Sequence, residues 1–244
     1  MKKLVPKIVK HYFRFYTSKL LNIPYNRHGV PNEIVEWLPL NSKITVVDIG
    51  ASEGNFFMPL TKSYSINAAV LIEPLPNRVV ELKEKYKDKY IIVNRAVSDT
   101  VGQSEFFISE EFDYASSLLK FNAEVLQNMQ LSQPKKVIIE TDTLDHIILE
   151  ANIGNIDLIK IDVQGVEHSV IKSGTETLAK TKLIYVEVSY KMLYQNSSTF
   201  FEIYQLLTEQ NFRMVNVSEG YKSANGELLQ SDVLFANNKP FNTI

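Results

Sequence analysis

The 244-residue chain has no cysteine, which removes disulfides, thiolate nucleophiles and cysteine-ligated metal sites at once. Neither sign of charge is in excess: 26 lysines and arginines stand against 28 aspartates and glutamates, a formal net charge of −2. A surface that grips a phosphate backbone shows a basic surplus, so nucleic acid is not an expected partner. No apolar run approaches the roughly 20 residues of a transmembrane helix. The N-terminus, MKKLVPKIVKHYFRFYTSKLL, is interrupted by Lys7, Lys10 and Arg14 and so lacks the apolar centre of a secretory signal. A cytoplasmic location is the resulting expectation.

Hydrophobic residues make up 45% of the chain, enough for a sizeable core in one α/β domain. Charge is locally uneven. Lys2, Lys3, Lys7, Lys10, Arg14, Lys19 and Arg27 all precede Glu33, the first acidic residue. Interleaved with Leu4, Val5, Ile8, Val9, Tyr12 and Phe13, they suggest a basic amphipathic helix. Such a helix either docks on an anionic surface, such as the inner membrane periphery or a partner protein, or packs on its own domain. The expected division is a basic helical extension over 1–42 and one catalytic-type domain over 43–244.

From residue 43 short β-rich runs alternate with helical patterns, the signature of a mostly parallel sheet covered on both faces. KITVVDIG (43–50), AAVLIEP (68–74), the start of YIIVNRAVSD (90–99), SEFFIS (104–109), KKVIIETDTL (135–144), IDLIKIDVQG (156–165) and KLIYVEVSY (182–190) read as strands. FRMVNVS (212–218) and DVLFANN (232–238) close the chain. Helices are expected from Asn55 to about Ser63 and over 76–86, 143–151, 166–174 and 198–210. The polar stretch 110–135 reads as a long surface excursion with one short helix in FNAEVLQNM.

Ligands of an open α/β sheet bind beyond the C-terminal strand ends, where strand order reverses. Four apolar runs end there in acids: Asp48, Glu73, Asp162 and Glu187. Gly50 and Gly54 flank the first strand-to-helix turn, and Glu73 follows Gly54 by 19 residues, the usual place for an acid on ribose hydroxyls. The turn lacks the G-x-G-x-x-G spacing of a dinucleotide site. A carboxylate at Asp48 would repel a pyrophosphate and favour a cationic ligand part such as a sulfonium, which points to S-adenosylmethionine over a nicotinamide cofactor.

VVDIGASEGNF, LIEPLP, NRAVSD, SSL, TLD and IKIDVQGVEHSVIKSG, in that order, resemble the FkbM-type S-adenosylmethionine-dependent methyltransferases over roughly residues 44–215. The resemblance implies a Rossmann-like seven-stranded methyltransferase fold with a final antiparallel strand. It also implies O-methylation of a hydroxyl on a sugar, glycan or secondary metabolite. Under it Asp48, Gly50, Ala51, Ser52 and Gly54 surround the methionine part of the cofactor, and Glu73 holds the ribose. Ala96 and Val97 edge the adenine, Ser117 touches cofactor or acceptor, and Asp162 lies where donor and acceptor meet. Ser52 stands where the family commonly has Asn. Gln164 stands where it often has Glu.

Removing a hydroxyl proton calls for a base within hydrogen-bond reach. Asp162 leads, with Glu187 on the neighbouring strand and His168 on the following helix as further candidates. Asp162 also reads as an acid that orients the cofactor's amino group or caps the next helix, and Glu187 as the ion partner of Lys160. With no D-x-D or H-x-H pair, no metal is expected. A nicotinamide-dependent oxidoreductase is the alternative enzyme, although the chain has no Tyr-x-x-x-Lys; a non-catalytic methyltransferase-like scaffold is the other.

Overall fold

The computed structural model describes residues 28–109, 116–120, 122, 132–223 and 225–239. Its strands are β1 (Lys43–Ile49), β2 (Ser65–Ile72), β3 (Ile91–Val93), β4 (Ala96–Val97), β5 (Gly102–Ile108), β6 (Lys135–Asp142), β7 (Ile156–Ile161), β8 (Thr181–Ser189), β9 (Phe212–Val217), β10 (Tyr221–Lys222) and β11 (Leu228–Asn237). Its helices are α1 (Asn32–Val35), α2 (Phe57–Ser63), α3 (Pro76–Tyr86), α4 (Leu144–Glu150), α5 (Glu167–Lys172), α6 (Thr175–Ala179) and α7 (Phe200–Glu209).

An eight-stranded sheet runs in the order β10-β11-β8-β7-β1-β2-β3, with β9 also paired to β11. β3, β2, β1, β7 and β8 are parallel. β11 is antiparallel to both β8 and β9, so the last strand inserts between its predecessors. The chain steps outward from β1 through β2 to β3, then returns to lay β7 on the other side of β1. The strand-order reversal, and hence the ligand crevice, falls between the C-terminal ends of β1 and β7.

Neighbouring residues of the central strands supply opposite cores, as the period of two requires. Val47, Ile49, Ile159, Ile161 and Val186 pack on one face, and Val46, Leu158, Leu183 and Leu234 on the other. Strands buried on both sides have no solvent face to make polar, which is why these runs are almost continuously apolar. The helices carry local signals of their own. α3 starts with Pro76 at its first turn, buries Val79 and Leu82, and stops at the left-handed Lys87. α7 is set by a capping box between Thr199 and Glu202.

Val30, Ile34, Val35 and Leu38, from the expected extension, are buried in the second core, so this part packs on the domain. The basic helix expected over 1–27 lies outside the described residues, as does all of FNAEVLQNM except Asn122. Among the described residues no helix is long and apolar enough to cross a membrane.

The strand expected at the start of 90–99 is β3, Ile91–Val93. The stretch 90–99 breaks at Asn94, whose side-chain amide donates to the carbonyls of Glu73 and Pro74. β4 then leaves the main sheet for a small one in the order β4-β6-β5. This second sheet, with Leu75, Ala96, Phe106 and Ile139 packed together, walls one side of the crevice.

Candidate cofactor and acceptor site

A cavity of about 380 Å³ opens at the strand-order reversal. One half is apolar, walled by Leu75, Ala96, Val97, Phe106, Leu118 and Val166. The other half is polar, with Lys160, Asp162, Gln164, Tyr185, Glu187 and Asp232. Gly50, Ala51, Ser52 and Glu73 line the floor between them.

Glu73 is buried, and burial raises its carboxyl above the ordinary range against the opposing pull of two backbone N–H groups. Those are Leu75 N–H at 2.9 Å and Ser52 N–H at 2.8 Å. The carboxyl is thus fixed at the end of β2, with lone pairs left for a ligand's hydroxyls. Ser52 donates from a left-handed backbone (φ 45°), in a turn where Gly50 (φ 77°) and Gly54 (φ 74°) are left-handed too. At Gly50 glycine is compulsory for a second reason: a Cβ there would lie 1.9 Å from the Asp162 carbonyl oxygen. The glycine therefore serves the close approach of the β1 and β7 turns. At Gly54 the Cβ position meets Leu82 and Tyr86 at 3.0 Å, and Gly54 does not line the cavity.

Asp48 corrects the sequence reading. It is 1% exposed and does not line the cavity. Parallel pairing sets it directly opposite Lys160, whose Nζ is 3.8 Å from Asp48 Oδ1 and 3.0 Å from Asp162 Oδ2. The lysine also donates to the Gly50 carbonyl at 3.2 Å and lies over the Phe56 ring. Neither Asp48 oxygen has a hydrogen-bond partner among the described residues. Burial pushes Asp48 up to about 6, against the attraction of Lys160 and with the repulsion of Asp162. Burial alone would lower Lys160, but Asp162 and Asp48 hold it protonated above its ordinary range. The charge facing the cavity from this layer is thus the lysine's.

Asp162 stands on the cavity wall with both oxygens engaged, one by Lys160 and the other by the Gln164 amide at 2.6 Å. Glu187 accepts from the Gln164 amide at 3.0 Å and the Gln230 amide at 2.9 Å. Burial, then the neighbouring Asp162, Asp232 and Glu167, push Glu187 up to about 9. Asp232, which sequence reasoning missed, pairs directly opposite Glu187 across β11 and β8. Burial raises it too, and it accepts a hydrogen bond from Tyr185. Tyr185 in turn stacks on Phe56 at 5.9 Å between ring centroids.

His168 is not brought into this group. It sits on α5 beside Ser169, and burial followed by the nearby Lys172 lowers its basicity. Its helix turns the side chain away from the cavity, which it does not line. Ser117 is likewise off the wall: it is buried and donates to the Gln164 carbonyl at 2.7 Å, while Ser116 lines the cavity. Ala96 and Val97 line the cavity.

At the rim, ligand atoms of Asp142, His146 and Glu150 come within 4.8 Å of one another, a grouping that neither D-x-D nor H-x-H spacing reveals. Arg95 already places a cation there, 2.8 Å from Asp142 and 2.6 Å from Glu150.

A strand-order reversal carrying a fixed acid after β2, with an apolar slot and a cluster of acids beside it, is the arrangement of a nucleoside-cofactor domain of the methyltransferase type. Residues 48–214, more than half of the chain, match the family described as Methyltransferase FkbM domain, and the chain belongs to that family. The family draws its methyl group from S-adenosylmethionine. The 2-O-methyltransferase NoeI of Sinorhizobium fredii (strain NBRC 101917 / NGR234) is 29% identical over 170 residues, covering 66% of this chain and 70% of its own. Among solved structures, magnesium protoporphyrin IX methyltransferase (ChlM) from Synechocystis PCC 6803 with bound SAM has a TM-score of 0.48 at 8% identity, covering 98% of this chain and 87% of that one. M. capricolum TrmK in complex with S-adenosylhomocysteine has 0.48 at 12%, covering 86% and 69%.

Proposed function

We propose that the chain is an S-adenosylmethionine-dependent O-methyltransferase acting on a hydroxyl of a sugar, glycan or secondary metabolite. The observation that carries this reading is the pair of unlike carboxyls, Asp162 and Glu187, held together by one amide on the wall of the cavity. The donor set fits the cofactor. Glu73 suits ribose hydroxyls, and the Leu75, Ala96, Val97 and Phe106 wall suits adenine. Bound there, S-adenosylmethionine supplies a methyl group on a cationic sulfur.

The protein's own work is to place an oxygen and take its proton. Asp162 is the base: it lies on the wall and is oriented from two sides. Glu187 is not, because it keeps its own proton near neutral pH and presents a neutral acid to the acceptor. Asp232 and Tyr185 extend the polar surface that an acceptor's other hydroxyls would meet. Asp48 acts through Lys160, which it holds against Asp162. O-transfer in particular is supported by the relative named as a 2-O-methyltransferase.

The test is label transfer from methyl-tritiated S-adenosylmethionine to a panel of neutral oligosaccharides and small polyols. The expected product holds its label through mild alkali, as an ether does. Label that is released by alkali, or that goes to amines, would refute hydroxyl methylation.

A further inference from the structure

The proposed chemistry leaves Gln164 without a role, yet its side chain joins both acids of the site. It follows Asp162 in a tight turn, and its backbone is left-handed (φ 56°). Its side-chain nitrogen reaches Asp162 at 2.6 Å and Glu187 at 3.0 Å. Its side-chain oxygen accepts from the Tyr194 hydroxyl at 2.9 Å, and its carbonyl accepts from Ser117 at 2.7 Å. Tyr194 and Ser117 belong to two loops that are tied to each other. Asn122 N–H donates to the Leu193 carbonyl at 3.0 Å, and Gln195 N–H to the Lys120 carbonyl at 2.8 Å. The next residue, Gly165, is clasped by the same loops. A Cβ there would lie 2.9 Å from Ser197 Cβ and 3.3 Å from Leu119 and Tyr194 side-chain carbons.

We propose that Gln164 is a positioning residue: its carboxamide fixes Asp162 and Glu187 side by side as one acceptor-facing unit and latches that unit to the paired loops around Ser117 and Tyr194. What the unit acts on rests on the methyltransferase reading; the coupling itself does not. An amide is needed because a donor must face both carboxyls. A glutamate at this position would add a third carboxyl to the pair, and it would fit only while carrying a proton.

Carboxyl ¹³C NMR of the full chain, with ¹³C-labelled aspartate and glutamate, reads this directly. The groups facing Glu187 are Lys160 on β7, Asp162 beyond it, Asp232 on β11 and Glu167 on α5, none of which is substituted in the variants. Gln164→Met keeps the length and removes the donor, so the Glu187 titration midpoint is expected to rise by about one pH unit. Tyr194→Phe leaves the amide but releases it from the loop, and is expected to move the midpoint the same way by a smaller step. Gln164→Glu is expected to match the wild-type Glu187 signal at pH 5 and to depart from it as pH rises.

A midpoint unchanged in Gln164→Met overturns the proposal; if that variant does not fold, an unchanged midpoint in Tyr194→Phe overturns it. The same samples are titrated with S-adenosylhomocysteine. A wild-type chain that does not bind it, while the midpoints still move, refutes the methyltransferase reading and leaves the coupling standing.

Discussion

Replacing Lys160 with methionine removes the cation between Asp48 and Asp162 while keeping the length of the side chain. At 3.8 Å and an effective dielectric of about 20, its attraction for Asp48 is worth about 4 kcal/mol, or about three pH units of titration. In the wild type Asp48 titrates at about 6, against 3.8 ordinarily. The folded state therefore binds this proton more tightly than the unfolded chain, and the stability that Asp48 contributes falls as pH rises from about 4 to 6 and then levels. Without Lys160 the midpoint moves upward, and stability continues to fall above pH 6 by about 1.4 kcal/mol per pH unit. Glu187 stays mostly protonated up to pH 8 in both folded proteins, so the slope it adds is shared and cancels from the difference between them. The variant's extra destabilisation is thus expected to be larger at pH 8 than at pH 6 by about 3 kcal/mol. Urea unfolding of both proteins at both pH values measures it. An equal stability difference at pH 6 and pH 8 would refute the coupling of Asp48 to Lys160.

Glu73→Ala should weaken S-adenosylmethionine binding by about 1.5–3 kcal/mol, the scale of a hydrogen bond to a charged group, as read by calorimetry; unchanged affinity would remove Glu73 from the ribose site. Gly50→Ala places a methyl 1.9 Å from a carbonyl oxygen at φ 77°, and should lower stability by about 3 kcal/mol or more, with a wild-type urea midpoint as the contrary result. Asp162→Asn should retain cofactor affinity within a few-fold and lose most methyl transfer, and full turnover would disqualify it as the base.

The order of strands and helices was legible because each buried parallel strand is apolar throughout and most end in a polar turn. The position of Glu73 on the cavity was legible because it depends on a local distance along one β-α-β unit. Asp48 was misread for the opposite reason. Whether an acid beside a glycine turn faces a ligand depends on what lies across the sheet, and Lys160 is 112 residues away in sequence and directly opposite in register. A signal was present: a lone lysine in the otherwise apolar IDLIKI must be paired if the strand is buried. Asp232 had no such signal, since only the insertion of β11 beside β8 brings it opposite Glu187. The position of His168 turned on a helix face that one short, mixed segment could not specify. Gln164 was visible as a departure from the family pattern, but its bonds to two loops and two strand ends are wholly non-local.

Calorimetric titration of the folded wild-type chain with S-adenosylmethionine, and in parallel with NADH, tests the central claim most directly. Saturable one-to-one binding of S-adenosylmethionine, absent for NADH and lost or much weakened in Glu73→Ala, is the predicted result. Binding of NADH in its place, or of neither by well-folded protein, would contradict it.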